Sequence, residues 1–258
     1  MREESLWCVM DHMIKEITVF HNCCFICRLI PDFRLKFQLE RDLSKSTRMM
    51  YNYETRLLIL KLVDGAHEVM KATMQIALPR ALYNMGLEQS ITLRGSTRVR
   101  GGSCFKEPDG SWVPWAHLPG RDRKWLAVVM EAGVSESIEK IKADAGWWLA
   151  NSIDQVKLVV IVSINQISPE ITFQTIVLDT ATAIPTVRQA VTTSRAPKQP
   201  DAPITTSPAE PLIIRFEEIL CRQPVPLSKT SIFLLIGWKE LLAGSGWINS
   251  YKSMRPGS

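Results

Sequence analysis

Apolar and polar positions set up two rhythms along the chain. RLLILKLV (56–63) is apolar enough for a strand or a buried helix turn. Asp64 is then placed to cap a helix running to about residue 85, with Val69, Met70, Thr73, Ile76 and Ala77 as its apolar side. Its polar side carries Asp64, Glu68, Lys71 and Gln75, and Met85-Gly86-Leu87 ends it, because glycine tolerates the left-handed turn that closes helices. A β-rich block follows: ITLRGSTRVR (91–100), turns at Gly101-Gly102 and Lys106–Gly110, and the compact strand LAVVME (126–131). A helix is expected over 136–150, with Ser135 or Ser137 as N-cap and Ile138, Ile141, Ala145, Trp148 and Leu149 as its apolar stripe. VKLVVIVSI (156–164) is apolar at nearly every position, as a central strand covered on both faces must be, and ITFQTIVL (171–178) suits its neighbour. The pattern predicts an α/β fold: strands near 91–100, 103–115, 126–131, 156–164 and 171–178 in a single mixed β-sheet flanked by helices.

Outside this block the rhythm weakens. Residues 1–50 lack sustained periodicity and are set apart as an N-terminal extension, leaving 51–180 as the core. Within the extension, Cys24-x-x-Cys27 near His21 has half the spacing of a zinc site; the other half is missing nearby, and a buried thiol-rich segment explains it equally. Residues 181–211 are rich in Thr, Ala, Pro and Ser and read as a mobile linker or long loop. LIIRFEEIL (212–220) and SIFLLIGWKELL (231–242) supply a short strand and a helix that dock back on the core.

Composition narrows the function classes only moderately. A hydrophobic fraction of 46% over 258 residues supports a real core, and a net charge of +5 permits a polyanionic partner without naming one. Six scattered cysteines resemble no disulfide framework and read as reduced thiols. The start lacks the organisation of a signal peptide, and no apolar run approaches eighteen residues, so the expectation is an intracellular protein, nuclear or cytoplasmic, with no membrane partner.

Candidate chemistry centres on KEPDGSWVPW (106–115) and LAVVMEAGVSES (126–137). If neighbouring strands bring Asp109 and Glu131 together, two carboxylates stand about 5 Å apart, a spacing suited to one Mg²⁺ with the carbonyl of Ala132 as a further ligand. The plainer alternative for Asp109 is a Pro-Asp-Gly β-turn. Glu131 directly follows LAVVM, where a strand is still half buried, and a buried carboxylate needs a reason. Arg94, Arg98, Arg100, Arg121, Arg123 and Lys124 flank these stretches, either as phosphate contacts or as solvated charges. Trp147 and Trp148 read as core residues before they read as base-stacking ones.

These stretches, together with LLILKLVDGAHE (57–68) and VVMEAGVSESIEKIKADAGWWLANS (128–152), resemble the PD-(D/E)XK, or restriction-endonuclease-like, nuclease superfamily, and more closely a group of uncharacterised fungal proteins carrying that domain. The resemblance spans about residues 55–220. It implies a restriction-endonuclease-like core and a Mg²⁺- or Mn²⁺-dependent phosphodiesterase acting on DNA, or less readily RNA. By resemblance, Asp109 and Glu131 are the metal-binding acids and Glu68 a third acid. Gly133 stands where the superfamily has its lysine. Lys142, bordering the apolar stripe of the following helix, is the replacement chosen on direction, with Lys106 in reserve. The missing lysine also leaves open a catalytically inactive, nuclease-derived domain that binds nucleic acid or protein.

Overall fold

The computed structural model describes residues 14–20, 24–29, 47–63, 65–134, 138–165, 168–197, 199, 202–224 and 231–234. Asp64, Ser135 and Ser137, expected as helix caps, and His21 lie outside them. The chain divides into two compact units, one of residues 1–64 and 96–108, the other of residues 65–95 and 109–258.

The first unit is a six-stranded antiparallel sheet in the order β1-β2-β4-β3-β7-β6. Its strands are β1 (Ile14–Phe20), β2 (Cys24–Leu29), β3 (Thr47–Asn52), β4 (Leu57–Leu62), β6 (Val99–Gly101) and β7 (Cys104–Lys106). β1, β2 and most of β3 come from residues 1–50, the stretch set apart as an extension of uncertain order. The expected single sheet also divides here, because β6 and β7 pair with β3 rather than with the strands that follow them in sequence. Met49, Leu58 and Leu60 are buried, and Tyr51, Tyr53 and Phe105 form a ring cluster with centroids 5.1 to 6.0 Å apart. Arg98 stacks on Phe105 and pairs with Glu107 at 2.7 Å, and Arg100 lies over Tyr53. Lys106, the reserve lysine, is buried on β7.

The second unit is α/β. It contains α1 (Gly65–Tyr83), β5 (Ile91–Leu93), β8 (Gly110–Pro114), β9 (Val128–Val134), α2 (Ile138–Asn151), β10 (Leu158–Asn165), β11 (Glu170–Leu178), β12 (Pro185–Ser194) and β13 (Thr205–Ser207). Its seven-stranded mixed sheet runs β13-β12-β11-β10-β9-β8-β5. Only β9 and β10 are parallel, joined by the crossover helix α2. β10 is the central strand, and all its residues except Ser163 and Asn165 are buried, as its uninterrupted apolar run requires.

Alternation divides the sheet between two helices. Val128, Met130, Ala132, Leu158, Val160 and Val162 join Met70, Met74, Leu78 and Leu82 of α1 in one core cluster. The opposite face of β9 to β12 packs on α2, whose buried residues are Ile141, Ala145, Trp148 and Leu149. The expected stripe of α2 is therefore present, whereas that of α1 is misregistered. Ile76 is 66% exposed, and the buried line is His67, Met70, Met74, Leu78 and Leu82. Gly86, at φ +69°, closes α1 while Leu87 N–H donates to Leu82 O at 2.9 Å.

The segment 181–211 departs from the expected linker. Its residues 185–194 form the ten-residue strand β12, paired along its length with β11. Beyond it, β14 (Leu212–Arg215) runs into the short helix α3 (Phe216–Leu220), and β14 pairs with β15 (Ser231–Leu234). Residues 231–234 are thus strand where a helix was expected; 235–242 lie outside the described residues.

Candidate functional site

β8 and β9 build the site. Their antiparallel pairing sets Gly110 beside Met130, Ser111 beside Val129 and Trp112 beside Val128. One step before that ladder, Asp109 bonds to Met130 and Ala132, the two residues that flank Glu131 on β9. A Cβ at Gly110 would stand 3.2 Å from Met130 Cε, the tip of a flexible side chain. Asp109 is 2% exposed and Glu131 3%, so neither is an ordinary solvated charge. Burial at this level also sets Asp109 apart from a mere surface turn residue.

Each carboxylate is held by a defined donor. Asp109 N–H donates to Met130 O at 3.2 Å, and Asp109 Oδ2 accepts from Ala132 N–H at 2.8 Å. Glu131 Oε1 accepts from Trp148 Nε1 at 2.5 Å, so α2 supplies the donor for the acid on β9. The Ala132 carbonyl faces His67 Nε2 at 3.0 Å, which fixes a tautomer with the proton on Nε2, donating to that oxygen. His67 is 2% exposed on α1. Both polar groups of the Ala132 peptide position are therefore clamped from different elements.

The other expected members stand elsewhere. Glu68 is exposed and makes a helix-face ion pair with Lys71 at 3.7 Å, because the inward line of α1 passes through His67, one residue earlier. Lys142 is exposed on α2, off the buried stripe. The helix instead half-buries Lys140, whose ammonium lies 3.6 Å from Asp144. Helical direction placed Lys142 nearer the stripe, but what surrounds each side of a helix is tertiary information. Gly133 is buried on β9, two residues past Glu131 and on the same face. Sequence reasoning missed His67 and the role of Trp148. A signal for the first existed in the four-residue spacing of Met70, Met74, Leu78 and Leu82, which, extended backwards by three, reaches His67.

Among the described residues, no three His, Cys, Asp or Glu side chains form a group that could hold a metal. Mg²⁺, however, commonly takes only one or two carboxylates, and an oxygen-only donor set of two acids and a carbonyl fits its chemistry.

No protein-family model matches the chain. No curated protein matches it either. Among solved structures it is similar to "a putative nuclease belonging to DUF820 from Anabaena variabilis", at 12% identity and a TM-score of 0.41, over 78% of this chain and 90% of that one. No described helix is long and apolar enough to cross a membrane.

Proposed function

We propose that the second unit is a nuclease-like domain that holds Mg²⁺ or Mn²⁺ on Asp109 and Glu131 and hydrolyses the phosphodiester backbone of DNA, or of RNA. The observation that supports this reading is that both acids are buried, with Asp109 bonded to the residues on either side of Glu131. Burying two carboxylates is costly unless something compensates, and a divalent cation does so. The Ala132 carbonyl, with a lone pair beyond the one that accepts from His67, is the third donor. The ion would supply Lewis-acid polarisation of a phosphate oxygen and a water of lowered pKa. The chain's own residues hold the scaffold: Ala132 N–H fixes Asp109, Trp148 fixes Glu131, and His67 orients the peptide between them.

Gly133 favours a second reading, a nuclease-derived domain that binds without cleaving, since glycine provides no cation to stabilise developing charge. Calorimetric titration with Mn²⁺, beside a cleavage assay on plasmid DNA and on RNA, tests both. The expected result is one Mn²⁺ site, lost in Asp109→Asn and Glu131→Gln, with cleavage lost in the same variants. Metal binding without cleavage selects the second reading. Unchanged titration in both variants overturns the metal site.

A further inference from the structure

The second unit carries a cavity of about 260 Å³ at the edge of its sheet, past the far end of β8 from Asp109. β5 contributes Thr92, with Arg94 just beyond it, and the 115–125 loop closes the other side. Among the described residues its walls combine aromatic and cationic groups and include no carboxylate. Trp115 is 73% exposed, whereas Trp112 and Trp148 are fully buried and Trp125 is 5% exposed. A tryptophan left in water at the mouth of a cavity is an available stacking surface.

The loop is fixed in advance. Trp115 N–H donates to Ser90 O at 2.9 Å, and Arg121 Nη1 donates to the Gln155 carbonyl at 2.7 Å. Asp122, the loop's own acid, accepts from Lys124 N–H at 3.0 Å and pairs with the Lys124 ammonium at 3.3 Å; the first of these contacts chiefly holds its carboxyl below the usual range. Arg94, Arg123 and His117 are exposed around the opening. A cavity whose described lining has one exposed indole, two exposed guanidiniums and no acid fits a unit made of a planar base and a phosphate.

We propose that this cavity binds one base-and-phosphate unit of a single-stranded nucleic acid, stacked on Trp115 with Arg94 and Arg123 on its phosphates. Thr92 and Val113 are cross-strand partners, and Val113, Ser111 and Asp109 alternate onto one face of β8. The four residue steps from Val113 back to Asp109 span about 13 Å, so the cavity stands at one end of β8 and Asp109 at the other. The inference rests on the nucleic-acid part of the proposed function and not on its metal.

The test is fluorescence anisotropy of the full chain with a short fluorescein-labelled oligo-dT strand, in EDTA. Binding is expected to weaken about tenfold in Trp115→Ala, to be largely restored in Trp115→Phe, and to weaken comparably in Arg94→Ala/Arg123→Ala. The salt dependence of the double variant should become shallower by about 1.4 in log–log slope, the share of two phosphate contacts to a single strand. Equal affinity in all variants, equal affinity for duplex, or displacement by AMP as effective as by the strand itself each overturns the proposal. A chain that binds the strand but no Mn²⁺ refutes the metal site alone; one that binds Mn²⁺ but no strand refutes the cavity alone.

Discussion

At the scale of single residues, the site depends on two donors the sequence did not advertise. Glu131 was a candidate because an acid directly after LAVVM is half buried, whereas Asp109, which a Pro-Asp-Gly turn explains, was made a metal-binding acid by the resemblance. Their partners were not, because a tryptophan on an apolar stripe reads as core, and Trp148 is core as well as donor. The neighbouring histidine and glutamate of α1 exchanged roles through a shift in helical phase, which a mixed-polarity helix leaves poorly determined. Trp148 gives a sharp expectation. Trp148→Phe removes the indole N–H but keeps most of the apolar area, so it should cost about 2 kcal/mol, the worth of a hydrogen bond to a charged group. Glu131→Leu/Trp148→Phe should cost less than the sum of its single changes by about 1 kcal/mol or more, since it leaves neither partner stranded. Urea unfolding of the four proteins measures this, and strictly additive costs would show that the bond does not carry the coupling.

At the scale of elements, α2, β9, β10 and β11 were readable from apolar rhythm alone, while β12 was hidden by composition. PTVRQAVTTS offers only Val191 and Thr193 as fully buried positions, too few to register as a strand by hydrophobic content. Its Thr and Val residues nonetheless favour extended backbone, and the pairing with β11 supplies what the sequence lacks. The Asp179 carboxylate organises the turn into β12 by accepting from Thr182 N–H at 2.8 Å and Ala181 N–H at 2.9 Å, contacts that hold its carboxyl below the usual range, the Thr182 N–H first. β12 then anchors the following segment: the Arg188 guanidinium bonds the Glu218 carboxylate and the Ile213 carbonyl, and Gln189 clasps Pro211 O and Ile213 N–H. Arg188→Ala strands a nearly buried Glu218 and should cost about 2 kcal/mol, below the usual range for a buried pair because part of the guanidinium reaches solvent. Proteolysis should accelerate at residues 208–211 in that variant, and Arg188→Ala/Glu218→Ala should recover part of the loss in urea. Protease resistance and a denaturation midpoint both equal to wild type would show that β14 and α3 are held by apolar contacts alone.

At the scale of the whole molecule, the division into two units was invisible in sequence because unit one is assembled from separated stretches, residues 1–64 and 96–108. The chain passes between the units at Pro108-Asp109, so the candidate acid is the first residue of the second unit after that passage. His67, Asp109, Glu131, Ala132 and Trp148 all belong to the second unit, as do all the described tryptophans. A metal held by Asp109 and Glu131 therefore stabilises the unit that carries those tryptophans, and tryptophan fluorescence is the probe to follow. Binding adds RT ln(1 + [L]/Kd), about 2.7 kcal/mol at a hundredfold excess over Kd, and a unit of this size converts each kcal/mol into roughly 2–4 °C. The fluorescence-detected Tm should thus rise by about 5–10 °C with Mn²⁺ at that excess and continue to climb with the logarithm of concentration. Asp109→Asn and Glu131→Gln should abolish the dependence on Mn²⁺ whatever they do to the metal-free Tm. With two units present, a single Tm need not describe the molecule, so calorimetry should be run beside fluorescence. A concentration-dependent rise that persists unchanged in both variants would place the metal away from β8 and β9, and no rise at any concentration would leave the buried acids compensated by Ala132 and Trp148 alone.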